Sequence, residues 1–225
     1  MYLVGYGHHQ KTEWHLCEGS EVLQRFESPA IEPNTLRQGE IVNLLRPLLM
    51  KELGPAHPDK IYFYNPGMDD TTQASKVNGA FVQINPRVNL ELNSPIDGVC
   101  RLLNKTSGFL IWLGRPWLVG RFQKDQNCQL EELELSDDLP WEEPSDSHVR
   151  LRALTFVESA VDALMKLAPV PPKTQVDLIG EMSPWQYRLI REVMHDHDLF
   201  PGLHIRRFFP ALLAFHQDAA LRMGL

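Results

Sequence analysis

The order of apolar and polar positions divides the chain into two series of the same kind. In the first, Tyr2 to Tyr6, Thr12 to Cys17 and Glu21 to Glu27 are three strand-length segments, the last two joined by a turn at Glu18-Gly19-Ser20. Ile41, Leu44, Leu45, Leu48 and Leu49 then recur at i, i+3, i+4, i+7 and i+8, a helical stripe that Pro47 is expected to bend. "KIYFYN" (60–65) is a buried-type strand stopped by Pro66-Gly67. A helix is predicted over 70–81, an alternating strand over 87–93, and a helix over 95–103 with proline at its first position.

The second series repeats this order. "GFLIWL" (108–113) and "PWLVGRF" (116–122) are strands across a tight Gly114-Arg115 turn, and "CQLEELEL" (128–135) alternates as a third. Leu154, Val157, Val161, Leu164 and Ala168 mark a long helix. "QVDLIG" (175–180) is a strand, Ser183 caps a helix, "LHIRRF" (203–208) is a strand, and a last helix covers about 210–222. Each series reads strand, strand, strand, helix, strand, helix, strand, helix. That order predicts an α/β protein with two domains, 1–105 and 106–225, each with a mixed five-stranded sheet covered by helices.

Composition narrows the class. Over 225 residues the chain is 43% hydrophobic and 23% charged, ordinary for a globular protein. No apolar run has bilayer-spanning length, and "MYLVGYG" lacks a signal-peptide pattern. Three scattered cysteines, Cys17, Cys100 and Cys128, suit neither a disulfide framework nor a zinc site and point to a reducing cytoplasm. A net charge of −7 argues against general nucleic-acid binding. Much of it lies in "LEELELSDDLPWEEPSDS" (130–147), read as a solvated edge and linker rather than a metal site.

Histidine spacing does not predict a metal centre. His8 and His9 face opposite sides of an extended chain, His15 lies along a strand, and His195 and His197 fall on different faces of a helix. Trp112, Trp117, Trp141 and Trp185 are expected in cores or interfaces.

Particular segments add a resemblance. "KTEWHLCEGSEVLQRFESPAIEPN", "KIYFYNPGM" and "IRRFFPALLAFH" resemble the BadF/BadG-type ATPases, and within them the bacterial N-acetylglucosamine kinase-like proteins of the actin, heat-shock chaperone and sugar kinase superfamily. The resemblance covers about the first 125 and the last 50 residues, with a shorter stretch between them than in the family. It implies a duplicated ribonuclease H-like, actin-like ATPase fold, ATP and magnesium as cofactors, and a sugar as substrate.

The motifs that would carry this chemistry are altered. At the family's metal-holding aspartate stands Tyr6, a poor ligand for a hard cation. His8, His9 and Gln10 replace the small residues of a phosphate loop, while Lys11 and Thr12 match. The second phosphate turn shrinks to Leu113-Gly114-Arg115-Pro116, where Arg115 alone could approach an anion. Pro95 takes the place of the catalytic base. Asp97, two residues on, is displaced by about 200° around a helix, which leaves it a weak substitute. Gly180 of the adenosine loop remains, followed by Glu181 and Met182 in place of small residues.

The expectation is therefore a kinase-like protein with degraded motifs, retaining a cleft for a small anionic or sugar ligand at His8, His9, Lys11, Thr12, Arg115 and Gly180. A non-enzymatic interaction module or homodimeric scaffold, and a diverged but active sugar kinase, are the alternatives.

Overall fold

The computed structural model describes residues 1–8, 10–54, 56–103, 107–113, 117–123, 128–133, 148–167, 175–180, 184–196 and 204–224. Packing divides it into two compact units. The first holds residues 1–99 and 212–225, and the second residues 100–211.

In the first unit, β1 (Tyr2–Gly7), β2 (Lys11–Glu18) and β3 (Glu21–Pro29) form an antiparallel meander. α1 (Gln38–Leu53) leads to β4 (Lys60–Tyr64), α2 (Thr71–Ile84) to β5 (Asn89–Asn93), and α3 (Pro95–Leu103) follows. The sheet order is β3-β2-β1-β4-β5, with β1, β4 and β5 parallel.

The second unit contains β6 (Gly108–Leu113), β7 (Leu118–Phe122), β8 (Gln129–Glu132), α4 (Val149–Leu167), β9 (Gln175–Gly180), α5 (Pro184–Asp196) and β10 (His204–Pro210). Its sheet order is β10-β9-β6-β7-β8, the relative order of the first sheet read from the opposite edge. The last helix, α6 (Ala211–Met223), packs with the first unit. A division at 105/106 assigns this helix to the second domain, yet the partners named below all precede residue 100.

The two faces of the first sheet differ in chemistry. Leu3, Trp14, Leu16, Ile61 and Phe63 point to one side and pack with Ile41, Leu45 and Leu49 of α1 and Val77, Ala80 and Phe81 of α2. That face is an ordinary apolar core, with Trp14 stacked on Phe63 at 5.5 Å. Alternation puts Tyr2, Tyr6, His15, Cys17, Tyr62, Tyr64, Glu91 and Asn93 on the other side. Aromatic and polar groups dominate there, and α6 supplies their partners.

Side-chain caps open α2 and α3. Asp70 caps α2 by accepting the N–H groups of Thr72 and Gln73 at 2.7 and 3.0 Å. Ser94 Oγ accepts the Asp97 N–H at 3.2 Å, so Ser-Pro-Ile-Asp opens α3 with proline at its first position. α1 continues through Pro47. The hydrophobic core of the second unit lies between its sheet (Phe109, Ile111, Val119, Val176, Leu178) and α4 and α5 (Phe156, Val157, Val161, Leu164, Ile190, Val193). Among the described residues no helix is long and apolar enough to cross a membrane.

Candidate functional site

The hairpin between β1 and β2 is closed by its own backbone. Gly7 pairs with Thr12, and the His8 N–H donates to the Lys11 carbonyl at 3.0 Å. That donor closes the hairpin and so is not directed at an anion. Tyr6 is 3% exposed. Its ring lies 4.9 Å from Phe215 of α6 and 5.7 Å from His8. Phe215 also stacks on Tyr64, centroid to centroid 4.3 Å with 12° between planes. Tyr6 is thus part of an aromatic core, and a Cβ on Gly98 of α3 would stand 2.7 Å from the Tyr64 ring, so only glycine lets α3 approach it.

Lys11 is engaged by its own strands. Its Nζ pairs with Glu13 at 2.7 Å and with Glu27 of β3. Hydrogen bonds to these two carboxylates raise its pKa, as expected of an ammonium between two acids. Thr12 is fully buried, and its hydroxyl finds no hydrogen-bond partner among the described residues. His8 is half-buried. His9 lies outside the described residues.

At the carboxyl ends of the parallel strands a second group converges. After β4, Asn65 accepts the Gly67 N–H through Oδ1 at 3.0 Å and donates through Nδ2 to the Ile31 carbonyl at 2.9 Å. A short 3-10 turn, Pro66–Asp69, follows. Partial desolvation raises the Asp69 pKa, a hydrogen bond with Ser94 lowers it, and the nearby charge of Asp97 raises it again. Asp69 and Asp97 are both exposed, while Ser94 between them is buried. The strand ends therefore present two carboxylates around a hydroxyl, an arrangement that can accept hydrogen bonds from a polyol.

Sequence reading selected Asp97 and passed over Asp69. The available signal was "YNPGMDD": Asp70 has the capping role, which leaves its neighbour free of one.

α6 supplies a further polar cluster on the same sheet. His15 Nδ1 and His216 Nε2 are 2.7 Å apart, and Cys17 Sγ is 3.5 Å from His216 Nδ1. Burial first, then the positive His15 and Arg25, push His216 down to about 4. Burial and Arg25 lower His15, against a smaller raising effect of Glu13. Burial pushes the Cys17 thiol up to about 12, so it stays protonated and unreactive. Tyr64 donates to Asp218 Oδ2 at 2.7 Å, with Asp218 1% exposed. Arg222 pairs with Glu91, donates to Asn93 Oδ1 at 2.8 Å and lies over Tyr62. Among the described residues no three His, Cys, Asp or Glu side chains group as metal ligands.

In the second unit, Arg115 with its turn, Trp141, Glu181, Met182, His197 and most of the acidic run lie outside the described residues. Gly180 ends β9. A Cβ there would stand 2.5 Å from the Leu113 carbonyl oxygen, so glycine is required by close approach to β6. Trp112 is buried, and Trp117 packs against Phe156 at 5.5 Å. A cavity of about 310 Å³ is lined by Val149 of α4 and Trp185, Arg188, Leu189 and Glu192 of α5.

No family model matches the sequence, and no curated protein matches it. Solved structures do. A protein from Porphyromonas gingivalis titled "Putative N-acetylglucosamine Kinase" aligns over 99% of this chain and 100% of its own, at 16% identity and a TM-score of 0.66. A ROK family glucokinase from Streptomyces griseus, solved with glucose and AMPPNP, aligns over 98% and 99% at 12% identity and 0.57. The ethanolamine utilization protein EutJ from Carboxydothermus hydrogenoformans aligns over 97% and 88% at 13% identity and 0.60. The chain shares the mixed α/β fold of these solved structures at low sequence identity.

Proposed function

We propose that this protein is a sugar-kinase-like, duplicated ribonuclease H-like member of the actin-like ATPases. In this reading it binds a sugar at the strand ends of its first unit and does not transfer phosphate efficiently. The observation that carries the reading is Tyr6. The group in place of the metal-holding acid is buried against Phe215, and burial keeps it from a solvated magnesium ion. Phosphoryl transfer depends on positioned cations and donors. Here the His8 amide closes a hairpin and Lys11 is neutralised by Glu13 and Glu27.

The same facts favour a neutral polyol over an anion. Asp69 and Asp97 present acceptors and negative charge, which suit hydroxyl groups and repel phosphate. BadF-type resemblance makes N-acetylglucosamine the first hexose to try. Calorimetry with ATP-magnesium, glucose and N-acetylglucosamine tests the reading. The expected result is heat from a sugar, its loss in Asp69→Asn with Asp97→Asn, and no ATP-magnesium binding at micromolar concentration. Micromolar ATP-magnesium binding would replace the reading with a diverged, active kinase. Absence of any sugar binding would favour an interaction module or homodimeric scaffold, separable by light scattering.

A further inference from the structure

β3 is the outer strand of the first sheet, paired on one side with β2. It has 9 residues, longer than an average strand of roughly five to six. Among the described residues, no main-chain hydrogen bond joins it to anything but β2. Its outer edge is therefore a row of unpaired N–H and C=O groups, the template another strand can use. Lysine, which often guards such edges, is absent from β3, and its proline is the last residue.

The ladder with β2 defines which part of the edge is regular. Leu16 pairs with Gln24 and Cys17 with Val22, so Leu23 is a bulge without a counterpart. Between that bulge and Pro29, which lacks an N–H, runs the regular stretch Gln24 to Ser28, with Phe26 at its middle. Alternation exposes Glu21, Leu23, Arg25 and Glu27 on one face. Arg25 has no acidic partner among the described residues, and the residue opposite it on β2 is His15. Glu27 meets Lys11, yet its side chain remains 60% exposed.

We propose that β3 pairs antiparallel with β3 of a second copy of this chain, about a two-fold axis at Phe26. That register sets Arg25 of each chain opposite Glu27 of the other, Gln24 opposite Ser28, and the two Phe26 rings side by side. The lone guanidinium thus gains a carboxylate, twice by symmetry. Neighbouring registers are worse. An axis at Gln24 opposes Glu21 to Glu27, and one at Arg25 brings the two guanidinium groups together. An axis at Leu23 opposes Glu21 to Arg25 but falls on the bulge. Phe26 is held in place for this contact by stacking on Trp14 at 6.2 Å. Each copy spends its β3 edge once, so assembly closes at two chains. The proposal is independent of sugar binding.

The test is sedimentation equilibrium of the full chain at roughly 100 μM, because one strand pair buries less than the about 1,200 Å² of a stable interface. The unaltered chain should show twice the mass of one chain. Arg25→Glu opposes acids at both charge pairs, Glu27→Arg opposes bases, and each variant alone should be a monomer. Mixed in equal amounts, the two set acids on one strand against bases on the other and should restore the dimer. The double exchange R25E/E27R in one chain should restore it too. A monomeric unaltered chain would overturn the proposal, as would dimers that survive both single changes or variants that stay apart when mixed. Should a variant fail to fold by circular dichroism, amide exchange of the unaltered chain decides. The outer amides of residues 24–28 should exchange more slowly as concentration rises, and exchange independent of concentration would refute the pairing.

Discussion

Acid should loosen α6 from the first sheet. The perturbation is protonation of His216, whose ring meets His15 Nδ1 at 2.7 Å and Cys17 Sγ at 3.5 Å. One of two hydrogen-bonded imidazoles must offer a lone pair, so charging both destroys the contact and adds repulsion. Facing this pair from the sheet are Tyr2 of β1, Glu13 and Cys17 of β2 and Arg25 of β3. Of these only Glu13 offers a negative charge, and Arg25 opposes it. The folded pKa of about 4 lies below the ordinary 6.5. Between those values the unfolded chain binds a proton that the folded chain does not, so stability rises with pH. The contribution is complete above about 6.5 and is lost as pH falls through about 4.

A difference of about 2.5 corresponds to about 3 kcal/mol at most. Screening of a half-buried ring reduces this to roughly 2 kcal/mol, with His15 adding in the same direction. Hydrogen exchange of the α6 amides, corrected for intrinsic rates, reads the opening free energy at pH 7.5, 6.5, 5.5 and 4.5. His216→Gln keeps a neutral hydrogen-bonding group and should flatten most of the dependence. Equal pH dependence in the variant and the parent, or an unchanged opening free energy down to pH 4.5, would refute the argument.

Tyr64→Phe removes a donor from the buried Asp218 and should cost about 1–3 kcal/mol in urea unfolding of the first unit. Gly180→Ala puts a methyl group 2.5 Å from a backbone oxygen, and a loss of about 1–3 kcal/mol is expected in the second unit by thermal melting. Lys11→Ala should change stability by less than about 1 kcal/mol and leave phosphate or sulfate binding in a thermal-shift series untouched, because its charge is already matched by Glu13 and Glu27.

Local pattern made most of the elements legible. Alternation along Lys11–Glu18, and the apolar stripes of α1 and α4, state their own secondary structure because the period of burial is the period of the backbone, while the short run Tyr2–Gly7 is buried throughout and is legible from its length and composition. The 3-10 turn after β4 escaped, since four residues have no period. The site was less legible for a different reason. Tyr6 can be recognised as a departure from a metal-holding position, but its burial depends on Phe215. His15 meets His216 across 201 positions, and Tyr64 meets Asp218 across 154. No window along one chain contains such pairs.

Assignment of α6 to the first unit has a consequence for how the protein is made. Synthesis delivers β1 to β5 early, yet the helix that covers their polar face emerges only after all of residues 100–211. The second unit is one continuous stretch and can condense by itself, whereas the first is closed by contacts spanning nearly the whole chain. Contacts of that separation form late and leave surface exposed meanwhile. A nascent or truncated chain ending at Pro210 would hold every strand of both sheets. It would lack the phenyl ring, imidazole, carboxylate and guanidinium that engage Tyr6, His15, Tyr64 and Glu91, leaving four buried tyrosines, Tyr2, Tyr6, Tyr62 and Tyr64, without that cover. Such a chain is a natural client for a chaperone.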